Sequence, residues 1–448
     1  MRAPALLVLF GGLAVACRPP SPPEASVADA AAPVDSGSTV DNSRAKPTLD
    51  PTAKLPIFDG GPVAAAPKPP APAADAGAPP APSKPEAVIA PELGADEALR
   101  LEQELRGLTQ YGAREDALPW AIAHGLIAFG PEFRTRKDIP AVEAIASNAR
   151  PDVIGEERIW GFPPQTTAGQ PVEPHSDLMA LVLTEVGLDP ETPLPVSETA
   201  TITLAELVED AEHAFALPSP SASWDDFAWS ANLFFLTHGL EDELSTRDGA
   251  LSMRELAETA LSRVELEQAF LDDLMKVGAP ERVQKRRQGI FAFTCGGLHL
   301  VQAGLRGAAM LGTPEAIERA RHQLEILRFR WVAERRIYRE ALAANPDYAP
   351  LLLVQELKFF GHALETLALA VELNILEPDA ATRGLFKQIA GDLRRTVSAL
   401  TPIYSAGDAI RRVRAQTYYD LIGDGCHAIH ALSRGRPLMY AATSTTSD

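Results

Sequence analysis

The sequence has too few cysteines, aromatic residues and basic residues for several large classes of protein. Its 448 residues include only 3 cysteines, which excludes a disulfide-rich scaffold. Aromatic residues make up 6%, and 41 Lys and Arg against 60 Asp and Glu give a formal net charge of −19. Such an acidic chain lacks the basic face that neutralises phosphates, so nucleic acid is not expected as a partner. With 46% hydrophobic residues the chain can still bury a large core, which excludes disorder throughout.

Long apolar runs and complete catalytic motifs are also missing. After the first twenty residues, no apolar stretch reaches the roughly 18 residues that span a bilayer. The sequence contains no Gly-x-Ser-x-Gly, no His-Glu-x-x-His and no phosphate-binding loop. Without these motifs, the sequence is compatible with two classes of function, a binding protein and an enzyme.

Residues 1–17 have the three parts of a secretion signal: a basic start, an apolar stretch over 6–15, and small residues at 14–16 before Cys17. Small residues directly before a cysteine resemble the lipobox of bacterial lipoproteins, which implies cleavage before Cys17 and lipidation of that residue. Arg18 rather than Asp follows the cysteine, which favours the outer membrane. We therefore expect a cell-envelope protein held to the membrane by a lipid at Cys17, facing the periplasm or the surface.

Residues 18–92 are rich in proline and alanine and poor in residues that build a core. The segment holds 18 Pro and 18 Ala, and its one aromatic residue is Phe58. It therefore cannot bury enough apolar surface to offset the entropy that a chain loses on ordering. We expect a disordered tether, extended in part as polyproline II, that lets the following domain stand clear of the membrane.

Residues 93–448 are expected to form one all-α domain, because their apolar residues recur at intervals of three and four. Helix-start signals occur at three places: Thr203-x-x-Glu206, Ser252-x-x-Glu255 and Thr313-Pro314. Long helices are predicted at about 223–240, 289–311, 314–344, 350–374, 381–401 and 408–432. These segments alternate between apolar and charged amphipathic character, which indicates inner and outer helices.

Six of the nine histidines recur at a nearly constant spacing along this domain. The intervals are 51, 63, 61, 63 and 65 residues, and the positions are His124, His175, His238, His299, His362 and His427. A period near 63 fits a hairpin of two long helices, and about six hairpins fill the domain. This layout resembles an (α/α)6 toroid, whose inner helices bring distant residues to a common axis. An open helical-repeat array and an irregular helical domain are the alternatives.

Two elements place a histidine four residues after a cysteine: Cys295 with His299, and Cys426 with His430. Positions i and i+4 of a helix share a face, so each element offers a thiol and an imidazole together. If the two helices face each other, the four side chains form a tetrahedral Cys2His2 site suited to zinc. There are two alternatives to this metal site: the cysteines form a Cys295–Cys426 disulfide in an oxidising compartment, or they are two separate buried thiols.

Four further residues are candidates for acid–base chemistry. His427 or Asp424 would orient the metal ligands, or act as general base if a ligand position is open to water. His362 and Glu365 lie one helical turn apart. They would form either an acid and base pair for catalysis or a core histidine that is hydrogen-bonded to a glutamate.

Two motifs carry a resemblance to known families. Cys295-Gly-Gly and Cys426-His427 resemble the Cys and Cys-His zinc ligands of lanthionine-synthetase-like cyclases, which are α/α toroids. Gly361-His362-x-x-Glu365 resembles motifs of sugar epimerases built on α/α barrels. The first resemblance implies a zinc site in a toroid, and the second implies saccharide chemistry.

One segment combines carboxylates with aromatic faces: Trp224, Asp225, Asp226 and Trp229. Such residues suit a carbohydrate at the mouth of a toroid. They also make an ordinary helix N-terminus, where acidic residues favour the helix dipole.

Two functions follow as hypotheses. The anchor, the tether, the helical repeats and the missing motifs favour a binding or interaction module at the membrane, with a saccharide, peptide or protein as partner. The alternative is an envelope enzyme with a toroid pocket, which acts on a saccharide or peptide and uses zinc held by Cys295, His299, Cys426 and His430.

Overall fold

The computed structural model describes residues 92–440, apart from 155–156, 220–221 and 287. The signal peptide, Cys17 and the tether up to residue 91 lie outside the described residues. Of the described residues, 67% are helical, which confirms an all-α fold. None of the helices in this part of the chain has both the length and the apolar character needed to cross a membrane.

The described residues contain fourteen α-helices and six short strands. The first seven helices are α1 (Ala95–Ala113), α2 (Pro119–Phe129), α3 (Ala141–Ala146), α4 (Leu178–Glu185), α5 (Leu204–Ala214), α6 (Phe227–Thr237) and α7 (Met253–Lys276). The others are α8 (Leu298–Leu311), α9 (Pro314–Ala344), α10 (Ala349–Glu372), α11 (Ala380–Ser405), α12 (Gly407–Val413), α13 (Ala415–Arg434) and α14 (Arg436–Met439). The strands are β1 (Arg150–Ile154), β2 (Glu157–Gly161), β3 (Pro193–Pro195), β4 (Thr201–Thr203), β5 (Glu243–Thr246) and β6 (Gly249–Ser252).

The strands form three separate antiparallel hairpins, β1 with β2, β3 with β4, and β5 with β6. They lie in the connections between helices, and β4 and β6 run directly into α5 and α7. Strands of three to five residues are too short to show the alternating pattern that the sequence would need to reveal them.

Six helices are buried on nearly all faces: α2, α4, α6, α8, α10 and α13. Each contacts the next in this order, and α13 contacts α2. Outside them, α1 packs on α13, α7 on α8, and α9 and α11 on α10. These outer helices are amphipathic; α7, for example, buries Leu256, Ala260, Leu261 and Val264 along one face. The predicted alternation of inner and outer helices is therefore present from α6 onward.

Two predicted helices differ from the structure. The segment 289–311 becomes α-helical only at Leu298, because Gly289–Ala292 and Thr294–Gly297 form short 3-10 turns and Cys295, Gly296 and Gly297 have a left-handed backbone. The segment 408–432 is divided at Arg414, whose φ of −146° separates α12 from α13. In both places a local change in backbone conformation interrupts an apolar pattern that continues in the sequence.

Candidate functional site

Four histidines from four inner helices converge in the middle of the domain: His124 on α2, His299 on α8, His362 on α10 and His427 on α13. Their ring centroids lie 4.1 Å apart for His362 and His427, 4.7 Å for His299 and His362, and 5.2 Å for His124 and His427. Each of the four residues is at most 6% exposed. Residues up to 303 positions apart in the chain thus form one buried imidazole cluster.

The other two regularly spaced histidines take different positions. His175 stacks in parallel on Trp229 at 5.0 Å, and Trp229 contacts His299 at 4.0 Å, so His175 joins the edge of the cluster. His238 follows the last turn of α6, and its Nε2 lies 2.9 Å from Glu212, away from the cluster. Trp229 takes the inward position on α6 that the spacing had predicted for a histidine.

Three side chains present atoms that can bind a metal. The Sγ of Cys295 and one ring nitrogen each of His299 and His362 lie within 4.8 Å of one another. The Nδ1 of His299 donates to Gln302 at 3.2 Å, and the Nδ1 of His362 donates to Glu365 at 3.2 Å. The Nε2 atoms of both rings are buried and have no hydrogen-bond partner. Fixing Nδ1 in this way directs the Nε2 lone pair towards a ligand, as in most protein metal sites.

Glu365 connects three histidines, His362, His427 and His430. Its carboxylate accepts from His362 at 3.2 Å, from His427 at 3.3 Å, from His430 at 2.7 Å and from Gln302 at 3.3 Å. Burial opposes ionisation of Glu365, but the charge of His427 and the imidazole hydrogen bonds outweigh it and hold the pKa of Glu365 well below its usual range. Glu365 is therefore an anionic centre that orients three imidazoles.

The protonation states suit metal binding. Burial and the neighbouring imidazoles lower the pKa of His124 to about 3 and that of His362 to about 4, and they hold the pKa of His299 well below its usual value. Burial also acts on His427, but Glu365 outweighs it and raises the pKa of His427. At neutral pH the two histidines beside Cys295 are thus neutral, as metal ligands must be.

A carboxyl group and a lysine lie beside these ligands. Asp424 Oδ1 is 3.8 Å from the Nε2 of His362, and Asp424 Oδ2 is 3.8 Å from the Nζ of Lys358. Burial raises the pKa of Asp424 to about 7. Its Oδ2 is buried and has no hydrogen-bond partner. Asp424 is therefore placed next to the atom of His362 that would bind a metal.

The structure does not assemble the predicted Cys2His2 set. Cys295 and His299 come together, but Cys426 belongs to neither of the two candidate metal groups among the described residues, which are Cys295 with His299 and His362, and His362 with Glu365 and His427. Cys426 comes one residue before His427 on α13, so its side chain is rotated by about 100° around the helix axis. Because His427 faces the cluster, Cys426 faces α1 instead, where the charge of Arg106 acts on it. His430 contacts Glu365 instead of a metal position. The third side chain of the group is His362.

The two cysteines are not joined by a disulfide in this structure. Cys426 is a free thiol that is 1% exposed, so it does not pair with Cys295. Burial raises the pKa of the Cys426 thiol, as expected for an inert core cysteine. The two cysteines, which the sequence presents as equivalent, therefore lie in different environments.

A cleft of about 590 Å³ opens at the N-terminal end of α6. Residues 161–164 line one wall, and Asp177 and Asp226 line another. Asp226 Oδ1 lies 3.3 Å from the Nδ1 of His175. A chain of contacts from Asp226 through His175 and Trp229 therefore links this wall of the cleft to His299.

Sequence reasoning missed Gln302 and Lys358. Each lies on the same helical face as a recognised histidine, three residues after His299 and four before His362, and that spacing was the available signal.

No protein-family model, curated protein or solved structure matches this chain.

Proposed function

We propose that the protein is a zinc-dependent enzyme of the cell envelope, with the metal held by Cys295, His299 and His362. The observation that carries this proposal is that the Cys295 thiol and one ring nitrogen each of His299 and His362 lie within 4.8 Å of one another, while the Nε2 atoms of both rings are buried without a hydrogen-bond partner. A buried polar atom without a partner costs about 1–3 kcal/mol, and a metal ion would remove that cost.

The donor set favours zinc and an open site. One thiolate and two neutral imidazoles are preferred zinc ligands, and three protein ligands leave a fourth position for water or substrate. Gln302 and Glu365 would orient the two imidazoles, and Asp424 would accept a proton next to the metal. Zinc in such a site supplies Lewis-acid chemistry on a carbonyl or activates water. This arrangement supports the enzyme hypothesis over the interaction-module hypothesis.

We further propose that the inner helices form the closed (α/α)6 toroid that the histidine spacing predicted. The successive contacts from α2 through α4, α6, α8, α10 and α13 back to α2 support this arrangement. The cleft of about 590 Å³ lies in the usual size range of small-ligand sites and is the proposed position for the saccharide or peptide substrate.

Metal analysis tests the zinc centre directly. The full chain, purified without a metal-binding tag or chelator, should contain about one zinc ion. C295S and H362A should each hold at least about tenfold less, because each removes a ligand. C426S is the matched control for cysteine and H238A for histidine, and both should keep the metal. A wild-type protein without zinc, or loss of zinc in C426S, would contradict the proposal.

The membrane anchor is a separate part of the proposal. It depends on Cys17 and its preceding small residues, and Arg18 after the cysteine predicts an outer-membrane location. Cells that express C17S should release the protein from the membrane fraction, and the variant should incorporate no labelled palmitate. C426S should remain membrane-bound and labelled. Retention of unlabelled C17S in the membrane would show that another segment anchors the chain.

A further inference from the structure

The proposed ligand Cys295 lies on a turn that its own backbone does not favour. Cys295, Gly296 and Gly297 have successive φ values of 52°, 62° and 76°, all in the left-handed region. Glycine adopts this conformation freely, but a cysteine pays a steric cost because it has a Cβ. Such a conformation persists only where neighbouring groups hold it.

Arg330 on α9 holds one side of the turn. It is completely buried, and its Nη1 donates to the carbonyl oxygen of Gly296 at 2.7 Å. A Cβ on Gly296 would lie 2.5 Å from Arg330 Nη2, so the guanidinium fills the space that a side chain would need. A longer side chain at 296 would therefore displace Arg330.

The guanidinium itself has little freedom. It lies 4.7 Å from the ring of Phe291 and 5.1 Å from the ring of Phe359. Its Nε donates to Glu334, which also accepts from Lys285 at 2.7 Å. These contacts hold the Arg330 guanidinium in one position independently of the turn. The Gly296 carbonyl, which accepts from that guanidinium, is therefore held in place as well.

Asp225, just before α6, holds the other side. One carboxylate oxygen accepts from the backbone N–H of Thr294 at 2.8 Å, and the other accepts from the Thr294 hydroxyl at 2.5 Å. The residue before Cys295 and the residue after it are thus held by two different elements of the fold.

We propose that Arg330 and Asp225 are positioning residues that clamp the left-handed turn and so place the Cys295 thiolate within reach of the metal held by His299 and His362. This inference rests on the proposed zinc centre. Without the clamp the turn is free to relax towards an ordinary helical start, which moves Sγ away while leaving the two imidazoles in place.

Cobalt(II) is the probe, because a cobalt–thiolate bond gives a near-ultraviolet charge-transfer band that imidazole ligands do not give. The full-length apoprotein titrated with cobalt should show this band. R330M and D225A should lose most of it and bind cobalt about 10–100-fold more weakly. R335M is the matched control: Arg335 is on the same helix, is 9% exposed and pairs with Asp392 at 2.7 Å, but belongs to neither side of the clamp.

The outcomes separate the two proposals. If the wild-type protein shows no thiolate band, the zinc centre itself is wrong. If the wild type shows the band and folded R330M and D225A keep its full intensity, the clamp is wrong. If R330M does not fold, D225A decides, because Asp225 lies in a loop and its replacement leaves the buried Arg330–Glu334 pair intact. Loss of the band in R335M as well would also overturn the clamp, since a general loss of packing would then explain the result.

Discussion

At the scale of single residues, Asp177 combines backbone strain with an unfavourable charge. It precedes α4 with a φ of 63°, lines the cleft, and accepts a hydrogen bond from Ser230. Burial raises its pKa from 3.8 to about 6, Ser230 opposes that shift, and Asp226 adds to it. The folded state therefore binds this proton more tightly than the unfolded state. The protonated Asp177 carboxyl therefore contributes stability that is complete below pH 3.8 and is lost as the pH rises through about 6.

D177N should therefore stabilise the protein at neutral pH. Asparagine accepts the left-handed backbone and keeps an acceptor for Ser230, but it removes the ionisation cost. We expect a gain of about 1–2 kcal/mol in urea unfolding at pH 7.5 that disappears near pH 4. D138N is the control, because Asp138 has the same φ of 63° but a side chain that is 78% exposed. A gain that does not depend on pH would contradict the explanation.

Single residues also show where sequence reasoning ends. The spacing of Cys295 and His299 identified two members of the candidate metal group, and the spacing of His362 and Glu365 identified a hydrogen-bonded pair. Sequence patterns alone do not decide which of two adjacent residues, Cys426 or His427, faces the interior. That choice depends on the rotation of α13 against α1 and α10, which packing of the whole helix determines.

At the scale of elements, helix starts were predictable because their signals are local. The Thr203 hydroxyl accepts from the N–H of Glu206 at 3.1 Å, and the Glu206 carboxylate accepts from the N–H of Thr203 at 2.6 Å, which confirms the predicted capping box. Thr313 caps α9 at its predicted start through one hydrogen bond, which its hydroxyl accepts from the N–H of Ala316 at 3.2 Å. The left-handed turn at Cys295 was missed because contacts from Arg330 and Asp225, distant in the sequence, hold it.

The cap of α5 can be tested on its own. T203A removes an acceptor for the first turn and should lower the free energy of unfolding by about 1 kcal/mol. T199A, in the exposed loop between β3 and β4, changes the same side chain without removing a helix cap and should have little effect. Urea unfolding curves of both variants, compared with the wild type, give the two values. Equal losses would mean that the capping box contributes nothing measurable.

At the scale of the whole molecule, the contact between α2 and α13 joins the beginning of the domain to its end. Gly423 on α13 faces the ring of Trp120 on α2, and a Cβ at 423 would overlap that ring. Trp120 in turn lies 3.9 Å from His124, so this contact also supports the imidazole cluster. The histidine spacing predicted that distant helices meet, but not that a glycine and a tryptophan form the closing contact.

The closing contact predicts opposite effects for two Gly→Ala changes. G423A should lower stability by about 1–3 kcal/mol, because Trp120 must move and α2 must separate from α13. G384A should raise stability by about 0.5–1 kcal/mol, because a Cβ there lies 3.6 Å from its nearest neighbour, Glu92, and alanine favours the helix. Thermal unfolding of the two variants measures both effects. If G423A were as stable as G384A, the two ends of the domain would not be joined by tight packing at this point, and the proposed closure of the six inner helices would be weakened where α13 meets α2.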